Sequence, residues 1–237
     1  MESYIMNKLS ISNIAWPPEE EFKIMNLVRS AGCSAIEVAP SKVWEEPSKA
    51  TDSEIRQYRK EVEKRSLCVC AIQALLYTRR DLGLFKDKAK EKETIDYLCG
   101  LIRIAAELSA KALVFGSPGN RIKGHISDKE AYSRACELFS VPAKLAADLG
   151  VFLTIEPLPK DETDFINTAE EGIKLVTEIN SPGFRLHLDS KALASEEGDY
   201  SLIFKNALPY LVHFHISEPD LVETGSTGFV PHKQIGR

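Results

Sequence analysis

The sequence predicts an α/β protein, a parallel barrel of the TIM (β/α)8 type in one domain over residues 1–237, lacking most of its last βα unit. Three observations predict it. Short apolar runs alternate with longer amphipathic ones from end to end, the pattern of parallel strands joined by helical crossovers. Neither GxGxxG nor GxxxxGK[ST] occurs, which sets aside the doubly wound nucleotide-binding sheets. Polar side chains able to hold a metal recur at the ends of three consecutive strand segments, where barrel active sites are built.

The strand segments are KLSISNIAW (8–16), SAIEVAP (34–40), LCVCAIQALLY (67–77), KALVFGS (111–117), VFLTIEP (151–157), FRLHLDS (184–190) and LVHFHIS (211–217). Helical periodicity fills the gaps between them. Thr51 with Glu54, Ser127 with Glu130 and Thr168 with Glu171 read as capping boxes, in which hydroxyl and carboxylate satisfy unpaired N–H groups of the first turn. Gly32, Gly150 and Gly183 precede strands and read as left-handed helix ends. GSPGN after the fourth strand reads as a turn, and the final HKQIGR as the start of another helix. An eighth unit would need about 30 more residues. The chain is therefore expected to be truncated, or its barrel left open with sheet edges that another chain, a second copy included, could cover.

Composition narrows the function classes. At 237 residues and 43% hydrophobic the chain can bury one large core. A net charge of −5 leaves no positive surplus for a phosphate backbone, and the charge run KDKAKEKE (86–93) is of mixed sign, so no nucleic-acid partner is expected. The five scattered cysteines suit reduced thiols in a cytoplasmic protein. Cys68 and Cys70 share a strand face but have no second close pair to complete a thiolate site. No signal sequence or membrane span is read.

Two histidines, His213 and His215, share one face of the seventh strand segment. Glu156 ends the fifth segment, Asp189 the sixth and His215 the seventh. If all three point inward, two carboxylates and an imidazole converge at the C-terminal mouth. Burying them together without a cation would be costly. Such a shell suits Mn2+ first, then Mg2+, Co2+ or Fe2+, with Zn2+ also accommodated. Glu37 alternates with Ala35 and Ala39, placed either to contact substrate or to pair with a neighbour. Arg121 is a candidate for an anionic substrate group, with a surface position as the alternative. His125 and His232 are given no ligand role.

GCSAIEVAP (32–40), IEP followed by NTAEEG (155–157, 167–172), HLD (187–189) and HFHISEP (213–219) resemble the xylose-isomerase-like barrel superfamily. That group includes sugar and sugar-phosphate isomerases and epimerases of the D-tagatose 3-epimerase kind and, more distantly, endonuclease IV. The resemblance is most specific over residues 156–172. It implies that Glu156 is metal ligand and acid/base, that Glu162 touches substrate, and that Asp189 and His215 are further ligands, with His213 their neighbour. It also implies a fourth ligand, a Glu on an eighth strand, that has no counterpart here. Ala192 and Leu221 stand where the epimerases carry His and Arg. The implied activity is metal-dependent isomerisation or epimerisation of a sugar or sugar phosphate through an enediolate, with low or no turnover for lack of that Glu. Trp16 and Trp44, each just after a strand, would stack on a sugar face or pack in the core. The rival functions are a DNA-repair endonuclease, disfavoured by five histidines and an acidic balance, and a non-catalytic relative that keeps only the fold.

Overall fold

A computed structural model describes residues 9–235. The strands are β1 (Ser10–Ser12), β2 (Ala35–Val38), β3 (Cys68–Ile72), β4 (Ala112–Phe115), β5 (Phe152–Ile155), β6 (Phe184–Asp189) and β7 (Leu211–His215). They pair in parallel, each with its neighbours in sequence, as one seven-stranded sheet. β2 (AIEV) and β4 (ALVF) are buried throughout, as strands between a barrel interior and a helical layer must be. The crossovers are α1 (Glu21–Ser30), α2 (Asp52–Glu63), α3 (Lys88–Glu107), α4 (Asp128–Asp148), α5 (Ala169–Ile179), the pair α6 (Ser190–Ala194) and α7 (Tyr200–Ala207), and the last helix is α8 (His232–Ile235). Every strand segment read from the sequence contains a strand.

One hydrophobic cluster runs between sheet and helices. At its centre Phe139 of α4 meets Phe115 edge-on at 5.1 Å and Phe184 at 5.0 Å, wedging the helix over β4 and β6. Among the described residues β1 and β7 have no further strand beside them. Leu9 (61%), Ile11 (40%), Val212 (37%) and Ile216 (60%) are correspondingly exposed among the described residues. No described helix is long and apolar enough to cross a membrane.

The helix ends follow the sequence reading in part. Thr51 forms the complete capping box with Glu54, and Ser127 and Thr168 accept from the third N–H of their helices. Glu171 instead turns its carboxylate to the N–H of Asn167. Gly32 and Gly150 are left-handed, at φ +94° and +68°, but Gly183 is not a helix end. Asn180, at φ +48°, closes α5. Gly183 is needed for close packing, since a Cβ there would lie 2.2 Å from Ala143 O and 2.4 Å from Ala147 N.

Candidate metal and substrate site

Parallel register brings the ends of β5, β6 and β7 to one rim. Glu156 follows β5 directly, and β6 pairs with β7 so that Asp189 lies beside His215 and His187 beside His213. One donor atom from each of Glu156, Asp189 and His215 lies within 4.8 Å of the other two. His215 Nδ1 is 3.9 Å from Glu156 Oε1 and 4.0 Å from Asp189 Oδ2. Those separations exceed hydrogen bonds and match donors that share a cation at about 2.0–2.4 Å.

Each donor is held from behind. Arg121 donates from Nη2 to the carbonyl of Glu156 at 2.7 Å. Gly116 leaves room for the Glu156 carboxylate, because a Cβ there would lie 2.3 Å from Oε2. Asp189 accepts from the Lys191 N–H at 2.6 Å and from the Ser217 hydroxyl at 2.7 and 2.9 Å. Glu37, on β2 across the barrel, is 3.1 Å from His213 Nε2 and 3.0 Å from His215 Nε2. It fixes the His215 ring with Nδ1 toward the two carboxylates, the carboxylate–imidazole support common behind metal ligands.

The electrostatics fit a cation. Burial raises the pKa of Glu156, and burial together with the neighbouring Glu156 raises that of Asp189. Burial pushes His215 down, but the Glu37 hydrogen bond and charge outweigh it and lift the ring to about 9. Burial would raise Glu37, yet the bonds from His213 and His215 hold it well below the usual carboxylate range. Two buried carboxylates facing an imidazole nitrogen, with room kept by a glycine, form an oxygen-rich donor set suited to Mn2+, Mg2+, Co2+ or Zn2+.

The set lines a cavity of about 2140 Å3 that follows the open side between β1 and β7. At its mouth Lys191 and Glu162 pair at 2.6 Å. Burial opposes the Lys191 charge, but the Glu162 hydrogen bond prevails and raises its pKa. Ala192 and the exposed Tyr77 and Arg80 also line the cavity.

Three sequence candidates lie elsewhere or act differently. Trp16 does not line the cavity; it is buried, and its indole N–H donates to Glu21, so it packs in the core. Trp44 meets Tyr58 edge-on at 5.6 Å. Arg121 is wholly buried beneath Glu156 rather than exposed to an anion; burial lowers its pKa to about 10. Glu37 faces inward and pairs with its neighbours. His232 bonds Glu218 at 2.7 Å. The side chain of Leu221 lies outside the described residues. Sequence reasoning missed Lys191, Ser217 and Gly116; only the spacing of two residues between Asp189 and Lys191 hinted at the first.

A family profile described as "Xylose isomerase-like TIM barrel" matches residues 25–236. The D-psicose 3-epimerase of Agrobacterium fabrum is 33% identical over 105 residues, 44% of this chain and 36% of that protein. The L-ribulose 3-epimerase of Mesorhizobium japonicum is 25% identical over 133 residues, 56% and 45% respectively. The matches thus span less than half the length of these curated relatives. A crystal structure of D-psicose 3-epimerase in the presence of D-fructose superposes with a TM-score of 0.81 at 22% identity, over 97% of this chain and 79% of that one. That of the 3-keto-D-glucoside 4-epimerase from E. coli gives 0.76 at 16%, over 92% and 82%. With nine-tenths of its length matched by the profile, the chain belongs to the xylose isomerase-like TIM barrel family.

Proposed function

We propose that the chain carries the site of a metal-dependent sugar epimerase or isomerase, acting on a ketose or its phosphate through an enediolate. The observation that supports this reading is the convergence of Glu156, Asp189 and His215 on one rim, inside a cavity large enough for a sugar. The named activities of the relatives, D-psicose and L-ribulose 3-epimerases, point the same way. Glu156, Asp189 and His215 would hold the ion, with Mn2+ the preferred occupant. Bound there, a dication would polarise a substrate carbonyl and offset the negative charge that develops on loss of the neighbouring proton.

The rest is work for side chains. Glu156 removes the proton from the face it occupies. Glu162 accepts, and Lys191 donates, hydrogen bonds to substrate hydroxyls at the mouth. Glu37 keeps His215 aligned. Full epimerisation needs a second acid/base on the opposite face, whereas exchange of the α-proton needs Glu156 alone. The partner is thus a small carbohydrate. The edges of β1 and β7, unpaired among the described residues, favour self-association, and the free cysteines favour a cytoplasmic setting.

The test is solvent-deuterium incorporation into D-psicose, D-fructose, D-tagatose and L-ribulose, followed by NMR with and without Mn2+. Metal-dependent incorporation into at least one ketose is expected. A chain that binds Mn2+ yet exchanges neither these ketoses nor their phosphates would refute the reading in favour of a non-catalytic barrel.

A further inference from the structure

Behind the donors at the rim lies a group that the sugar chemistry does not use. His187, within β6, is fully buried; neither ring nitrogen makes a hydrogen bond of good geometry, and the Glu156 carboxylate stands 3.5 Å from Nε2. A buried imidazole in that state recovers little of the hydration it loses, a cost an aliphatic side chain would avoid. Its neighbours suggest what it is for. The ring stands edge-on to His215 with centroids 4.1 Å apart, and its centroid is 5.4 Å from that of His213. One nitrogen from each of His187, His213 and His215 lies within 4.8 Å of the other two. Glu37, at 3.0–3.1 Å from the other two rings, puts a negative charge beside the cluster. His213 and His215 both line the cavity, which gives an ion a way in.

We propose that His187, His213 and His215 form a second, nitrogen-rich cation position, deeper in the barrel than the carboxylate set and selective for late first-row ions. Imidazole donors favour Cu2+ and Zn2+, whereas carboxylate oxygens suit Mn2+ and Mg2+. His215 belongs to both sets. An ion in the inner position therefore draws a donor from the outer one, and Cu2+ or Zn2+ opposes Mn2+ binding through that shared ring.

The experiment adds one equivalent of Cu2+ to the metal-stripped full chain, made without a histidine tag, and counts nitrogen ligands from 14N splitting in the EPR spectrum. Three are expected, against one for the outer set. His187→Asn, with its fold checked by circular dichroism, should lower the count to two at most. Asp189→Asn alters the outer set alone; it should keep the three-nitrogen pattern and hold Cu2+ within about threefold, while Mn2+ affinity falls at least about tenfold. A single nitrogen in the unmodified chain, or a pattern that His187→Asn leaves unchanged, overturns the proposal. If His187→Asn does not fold, the other two readings decide: Cu2+ and Mn2+ weakened alike by Asp189→Asn also overturns it.

Discussion

Replacing Glu37 by Gln isolates the support behind His215. The substitution keeps size and shape but exchanges one carboxylate oxygen for an NH2 group. In the structure His215 Nε2 is 3.0 Å from one Glu37 oxygen and 2.9 Å from the other. Either orientation of the amide keeps a carbonyl oxygen against Nε2 but sets an NH2 group beside it and removes the negative charge that backs the ring. The Nε2–H tautomer, which leaves Nδ1 free toward Glu156 and Asp189, is then held less firmly, and His215 becomes a weaker ligand. Loss of support of this kind costs about 10–100-fold in metal affinity, or about 1.4–2.8 kcal/mol. Calorimetric titration of the metal-free protein with Mn2+, wild type beside Glu37→Gln, measures it, with thermal unfolding as the control for fold. An Mn2+ affinity within twofold of wild type, in a variant of unchanged melting temperature, would show that Glu37 does not hold His215 for the ion.

Gly116→Ala should fold yet lose most of its Mn2+ affinity, because the new Cβ would lie 2.3 Å from Glu156 Oε2 and push the carboxylate off the rim; the same titration reads it. Gly183→Ala should destabilise the fold by about 1–3 kcal/mol without a specific effect on metal affinity, since its Cβ would meet the α4 backbone; urea unfolding measures it. Glu196 accepts from the Ala169 N–H, yet burial lifts its pKa to about 7 from 4.5. A folded pKa above the unfolded one means that stability is full below about pH 4.5 and declines as pH rises to 7. Glu196→Gln should therefore raise stability at pH 8 by about 1 kcal/mol, solvent screening of this partly exposed group being allowed for, and change little at pH 4.5; melting curves at both values check the sign.

What the sequence revealed and what it hid have physical causes. The strands were legible because runs such as ALVF are apolar on both faces and end in turn residues, a local property. The rim donors were legible because parallel register repeats the same position from strand to strand. Glu37 was half legible: alternation turned it inward, but its partners lie on β7, 176 and 178 residues away in sequence. Lys191 and Glu162 meet across 29 residues, through loops whose path no periodicity records. Arg121 was misread as exposed because its long side chain runs under β5 to a backbone carbonyl. Trp16 was left between a sugar platform and the core, and α1 decides for the core by bringing Glu21 to its indole. Gly183 looked like a cap because the spacing that ends a helix also serves a close backbone crossing.

Whether Glu156, Asp189 and His215 share one ion at the rim is decided by anomalous diffraction from crystals grown with Mn2+. A peak is expected within about 2.0–2.4 Å of a carboxylate oxygen of Glu156, one of Asp189 and Nδ1 of His215. A Mn2+ peak away from all three, or their side chains turned outward toward the helices, would contradict it.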